Sequence, residues 1–170
     1  MNKEVLKKLS YGIYVISSLD GDKATGCIAN SLIQVTYDTI AVSIHHDNFT
    51  NHCIENSKKF AISILGTNID SRIIGTFGYH SSRDIDKFKD TPSTNIDGLE
   101  IINDAIGYLI CELIDKLETE THSIFLGKII DCEMFNENLI PMTYAYFYTE
   151  RKGLSPKNAP TYIKPENKQN

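Results

Sequence analysis

Four short stretches of this 170-residue chain carry residues whose types and spacing suit chemistry. The first runs from Thr25 to Thr36, TGCIANSLIQVT, small and polar at Thr25, Gly26, Ala29, Asn30, Ser31 and Thr36 with apolar residues between. It reads as a loop whose amides and hydroxyls meet a flat, polar-edged ligand. The plainer reading is a strand-end loop that caps its own backbone. The second is Asn48-Phe49-Thr50, after His45-His46-Asp47. A strand ends there and a helix begins, so free amides and the positive end of a helix dipole suit an anion or a carbonyl edge; simple N-capping by Asn48 or Thr50 fits as well. The third is FGYHSSRDIDKF, residues 77–88, where Ser81, Ser82, Arg83 and Lys87 gather hydroxyls and two cations. Arg grips phosphate oxygens through a two-pronged hydrogen bond and Lys acts as a point charge, whereas pairing with Asp84 and Asp86 would leave a solvated loop. The fourth is His122, with Phe125 three residues on. A histidine beside a cavity can contact a ligand or carry a proton; a strand-end histidine without chemistry is the plain alternative.

Other chemistries find little support. Cys27, Cys53, Cys111 and Cys132 form no C-x-x-C pair, which argues against structural zinc or iron–sulfur. His45, His46, His52 and His80 crowd the first half, but adjacent histidines on a strand point to opposite faces and no H-E-x-x-H completes a metal site. There is no G-x-S-x-G, no P-loop and no G-x-G-x-x-G. A net charge of -5 gives no electrostatic reason to expect nucleic acid or an anionic membrane as partner. No run approaches transmembrane length, and MNKEVLKKLSYGIYVISS lacks a small-residue cleavage site, so a cytoplasmic protein is the expectation.

The elements that must position these residues are mostly strands. Residues 3–9 read as a short amphipathic helix. Tyr11 to Leu19, Thr39 to His45, Lys59 to Leu65, Ala105 to Leu117, His122 to Phe135 and Tyr144 to Thr149 read as strands, and Asp20-Gly21-Asp22-Lys23 as a hairpin turn. Asn48 to Asn56 and Ile69 to Phe77 read as helices. Residues 81–98 form the longest irregular stretch, and the tail after Lys152, with Pro156, Pro160 and Pro165 before PENKQN, reads as extended and poorly ordered. With 41% hydrophobic and 23% charged residues, the expected fold is one domain, mainly β, a closed antiparallel barrel with helical insertions.

YGIYVISS with TGCIANSLIQVT, the Asn48-Phe49-Thr50 helix start with KFAISIL, FGYHSSRDIDKF and THSIFLGKI occur in order, from about Leu9 to about Tyr162. Together they resemble the flavin reductase-like family of FMN-binding split barrels, and within it the flavin domain that anaerobic bacteria pair with rubredoxin. The resemblance implies a Greek-key antiparallel split barrel with a few short helices over residues 1–152, followed by an extended tail over 153–170. It implies bound FMN, NAD(P)H as co-substrate, and a homodimer with each flavin near the subunit boundary. Electrons would pass through the flavin to free flavin, rubredoxin or a similar carrier.

Carried over by position, Thr25, Ala29, Asn30 and Ser31 would meet the isoalloxazine or ribityl chain. Asn48 and Thr50 would lie near the ring or phosphate, and Ser82, Arg83 and Lys87 near the phosphate. His122 falls where flavin reductases have a histidine facing the nicotinamide, often within Gly-Asp-His; here Glu120-Thr121 precede it. The tail GLSPKNAPTY resembles the linker before a fused rubredoxin, yet PENKQN brings no C-x-x-C to hold iron, so a rubredoxin partner would be a separate protein. Two other functions fit the residues: an electron carrier reduced by another protein, and a module that holds flavin or another planar ligand without turnover.

Overall fold

The computed structural model describes residues 2–162. A short 3-10 helix over Lys3–Lys8 precedes the sheet and buries nothing. Strands β1 (Tyr14–Asp20) and β2 (Lys23–Ala29) form a hairpin across Gly21-Asp22. Gly21 sits at φ +60°, the left-handed conformation that a two-residue turn demands and glycine takes without strain. Then come β3 (Leu32–Thr36), β4 (Thr39–His45), helix α1 (Phe49–Ser57), β5 (Lys59–Ile64) and helix α2 (Ser71–Tyr79). The chain ends in β6 (Ser93–Ile96), β7 (Leu99–Ile102), β8 (Gly107–Glu118), β9 (His122–Met134) and helix α3 (Tyr144–Thr149).

Seven strands form one antiparallel sheet in the order β2-β1-β5-β8-β9-β4-β3. Its two edge strands, β2 and β3, are consecutive in the chain and joined only by Asn30-Ser31. The sheet therefore rolls until its edges approach, but among the described residues no ladder closes it, and the expected closed barrel is corrected to an open seam. One core fills the roll with Ile16, Val42, Ile44, Ile54, Phe60, Ile62 and Phe125. A second packs α2 and α3 under the N-terminal chain through Ile13, Val15, Leu65, Ile73, Phe77 and Phe147.

Three further expectations change. Thr25–Thr36 is not a loop but β2 and β3 with a two-residue break. Its small residues serve packing: a Cβ on Gly26 would stand 3.0 Å from Phe77 Cε1, so glycine is what lets α2 lie against β2. Tyr144–Thr149 is helical, not a strand. Thr143 caps it by accepting the Tyr146 N–H at 3.1 Å, and the buried Tyr144 and Phe147 stand three apart, the spacing of one helix face. Within residues 81–98, β6 pairs with β7 around Asp97-Gly98.

The tail also differs. Residues 153–156 are irregular and residues 156–162 fold through two turns, in which the Ala159 N–H donates to the Pro156 carbonyl and the Tyr162 N–H to the Ala159 carbonyl, both at 2.9 Å, while 163–170, with Pro165 and PENKQN, lie outside the described residues. Cys27, Cys53 and Cys111 are buried thiols and Cys132 is exposed. Among the described residues no helix is long and apolar enough to cross a membrane, and no group of side chains could hold a metal ion.

Candidate ligand site at the sheet seam

A cavity of about 880 Å³ opens at the seam. The end of β2 with the following Asn30 (Cys27 to Asn30) and the end of β4 (Ser43 to His45) supply one side. The first turn of α1 with Asn48, the end of α2 and the loop from His80 to Lys87 supply another. Ile13, Ile28, Ile44, Ile74, Phe77 and Phe147 make part of the wall apolar. The volume lies in the upper part of the roughly 300–1,000 Å³ range of small-molecule sites.

One end of the cavity gathers groups that suit an anion. The first turn of α1 leaves the Phe49 and Thr50 N–H groups without intrahelical acceptors. Asn48 stands at the N-cap position but its side chain caps nothing. Arg83 lies with its guanidinium 4.8 Å from the Phe49 ring centroid and, among the described residues, has no carboxylate partner. Among the described residues neither Arg83 nor Lys87 pairs with Asp84 or Asp86, the alternative that would leave a solvated loop. Ser82 is buried, its hydroxyl near the Gly26 amide and carbonyl at 3.4 and 3.5 Å.

Lys87 is buried for a different task. Its Nζ donates to the Gly26 carbonyl at 2.7 Å and the Phe77 carbonyl at 3.3 Å, tying the loop to β2 and α2. Burial holds its ammonium below the usual lysine range, and the nearby Cys27 works weakly the other way. Burial pushes the Cys27 thiol up.

Of the expected residues, Ala29, Asn30, Asn48, Thr50, Ser82, Arg83 and Lys87 line the one cavity. Thr25 is buried behind it, its hydroxyl 3.4 Å from that of Thr50, and lines a smaller neighbouring cavity of about 270 Å³ with Lys23 and Arg83. Ser31 stands beside the rim and donates to Asn30 Oδ1 at 3.3 Å.

His122 does not line the cavity; sheet register sets it behind two residues that do, His45 and Asn158. It pairs with His45 across β4 and β9, and the two rings meet edge-on with centroids 4.8 Å apart. Burial lowers the His122 pKa and the neighbouring His45 and His46 lower it further, against the hydrogen bond to Asn158. Its Nε2 lies 3.2 Å from the Asn158 carbonyl and its Nδ1 2.8 Å from the Thr121 hydroxyl. A carbonyl can only accept, so the proton sits on Nε2.

Sequence reading missed the contribution of the chain after Gly153. Leu154 to Pro160 and Tyr162 line the cavity. Asn30 Nδ2 donates to Thr161 Oγ1 at 2.8 Å, and Asn158 Nδ2 donates to Asn48 Oδ1 at 3.0 Å. No local pattern signals such contacts, because they join residues 131 and 110 apart.

An antiparallel sheet rolled to an open seam, with an apolar-walled cavity and a cationic end, suits a flat ligand that carries an anionic group. Residues 6–154 match the family described as flavin reductase like domain, and the chain belongs to it. It is thus an oxidoreductase that works through a flavin. The donor set fits: apolar wall for a ring, amide side chains and backbone for its polar edge, free cation and helix amides for a phosphate.

A high molecular weight rubredoxin of Moorella thermoacetica is 37% identical over 166 residues, 95% of this chain and 72% of that protein. A ferric-chelate reductase (NAD(P)H) of Archaeoglobus fulgidus is 28% identical over 96% of this chain and 98% of its own length. Among solved structures, an NADH:FAD oxidoreductase of Streptomyces globisporus superposes with a TM-score of 0.75 at 21% identity, covering 83% of this chain and 85% of that one. The flavoredoxin of Methanosarcina acetivorans gives 0.67 at 16% identity, covering 76% and 70%. These two likenesses speak to fold alone.

Proposed function

We propose that the chain binds FMN in the seam cavity and passes electrons from NAD(P)H to free flavin, rubredoxin or a similar carrier. The observation that carries this reading is the unpaired Arg83 guanidinium beside the open first turn of α1, at the end of a cavity with an apolar wall. That pair suits a terminal phosphate, which FMN presents directly.

In this reading Arg83, Ser82 and the Phe49 and Thr50 amides hold the phosphate. Lys87 adds positive charge from below and fixes β2. Asn30, Ser31 and Asn48 address the polar edge of the ring, Ala29 leaves room for its plane, and Thr25 backs the ribityl side through Thr50. Ile44, Ile74 and Phe77 exclude water from the ring. The bound flavin supplies hydride acceptance and single-electron release, chemistry that no side chain here provides. His122, behind Asn158 and beside His45, orients the donor through its Nε2–H once Asn158 gives way.

The names of the relatives from Moorella and Archaeoglobus support rubredoxin-type acceptors and NAD(P)H as donor. Residues 1–152 serve as a split-barrel flavin domain. A second copy of the chain fits the apolar side chains exposed on β3, β8 and β9, namely Ile33, Val35, Ile114, Leu117 and Ile130.

The test is the visible spectrum of the FMN-loaded protein under anaerobic conditions, before and after NADH. Bleaching of the bound flavin is expected. A yellow protein that NADH leaves oxidised contradicts the donor assignment and favours a carrier reduced by another protein. A protein that takes up no FMN contradicts the reading altogether.

A further inference from the structure

The chain from Leu154 to Tyr162 crosses the cavity mouth as a strap. It is tied to Tyr79 at the end of α2, whose hydroxyl donates to the Leu154 carbonyl. Ser155 meets the Tyr144 hydroxyl at 2.9 Å, Asn158 meets Asn48 and His122, and Thr161 meets Asn30. Every tie is a single hydrogen bond without an ion pair among the described residues. Apolar anchoring is weak, since Leu154 is 69% and Tyr162 37% exposed. Neutral hydrogen bonds of this kind each shift an equilibrium by only about fivefold, so the strap can be displaced by a ligand that offers the same groups.

What it offers is specific. Asn158 gives a primary-amide N–H to Asn48 Oδ1 and a carbonyl oxygen, that of its backbone, to His122 Nε2. An amide N–H and a carbonyl oxygen side by side are also the polar groups of a nicotinamide carboxamide. Resting on the proposed flavin reading, we propose that Asn158 is a built-in occupant of the carboxamide subsite, and that the strap over residues 154–162 must leave Asn48 and His122 before a nicotinamide donor can reach the flavin. The strap then selects among donors: a small inorganic reductant reaches the flavin without displacing it, and a pyridine nucleotide does not.

The variants Asn158→Ala and Asn158→Ala/Thr161→Val, in the full chain, loosen the strap at one and two ties. Stopped-flow reduction of the FMN-loaded protein by sub-saturating NADH is compared with reduction by dithionite. The expected result is an NADH rate raised about fivefold in the single variant and more in the double variant, with the dithionite rate moving far less. Equal NADH rates in wild type and variants, slower ones, or no reduction by NADH in any form overturn the proposal. Equal but measurable rates leave the flavin reading intact, whereas failure of all forms to bind FMN removes that reading too.

A second readout needs no turnover. Hydrogen exchange of residues 154–162 in the wild-type protein is followed with and without saturating NAD+, which cannot reduce the flavin. Faster exchange in the strap with NAD+ is expected, and unchanged or slower exchange overturns the proposal.

Discussion

Lys87 Nζ donates to the carbonyl oxygen of Gly26 at 2.7 Å, a buried contact between residues 61 apart in the chain. It fastens the cationic loop to the edge strand that borders the cavity. The lysine that the family resemblance places near a phosphate is thus also a structural tie.

Lys87→Met keeps most of the volume and leaves the Gly26 and Phe77 carbonyls short of a donor. The expected cost is about 1–3 kcal/mol of unfolding free energy in urea titrations. Burial holds the folded-state pKa of Lys87 below its ordinary 10.5. On rising pH the folded state loses this proton before the unfolded state does, so this group's contribution to stability rises towards pH 10.5. The wild type's advantage over Lys87→Met therefore grows through the alkaline range; an advantage that shrinks there contradicts the assignment.

Gly26→Ala places a methyl 3.0 Å from Phe77 Cε1 and 3.1 Å from the Ile16 carbonyl oxygen. The backbone oxygen cannot swing away, so Phe77 must shift towards the cavity it lines. A loss of about 1–3 kcal/mol is expected, with weaker FMN binding. Thermal unfolding and FMN titration of the same variant check both parts.

Glu118 accepts hydrogen bonds from Lys116 at 2.7 Å, His46 at 2.9 Å and Ser123 at 3.0 Å. Lys116 first, then His46, hold its carboxyl down at about 2, against an ordinary 4.5. Its contribution is fully present above the unfolded value and is lost as pH falls towards 2. The difference in Tm between wild type and Glu118→Gln should hold steady above about pH 5 and close on acidification. A difference that is constant down to pH 2 would show that these contacts do not stabilise the carboxylate.

The strand content was legible because β-branched runs such as Thr39–His45 and Lys59–Ile64 alternate or saturate with apolar residues and end at turn formers. The Asp-Gly hairpin and both central helices followed from local chemistry in the same way. Tyr144–Thr149 misled because aromatic runs favour strands in general, while here the Thr143 cap and burial of one face decide for a helix. The small residues of Thr25–Thr36 suggested ligand access, and Asn30 and Ala29 do line the cavity, yet Gly26 is small for the sake of Phe77. The open seam and the strap depend on contacts between distant residues, for which a single sequence holds no local signal.

The proposed seam site holds FMN with its phosphate at Arg83, and a phosphate contact is separable from the rest of the flavin. The most direct measurement is the affinity of wild type and Arg83→Ala for FMN and for riboflavin, which lacks the phosphate. Wild type should prefer FMN by about 10- to 100-fold, the worth of a charged contact. Arg83→Ala should lose most of that preference while keeping its riboflavin affinity and its fold. A wild type that binds both equally, or a preference that survives in Arg83→Ala, would show that Arg83 holds no phosphate.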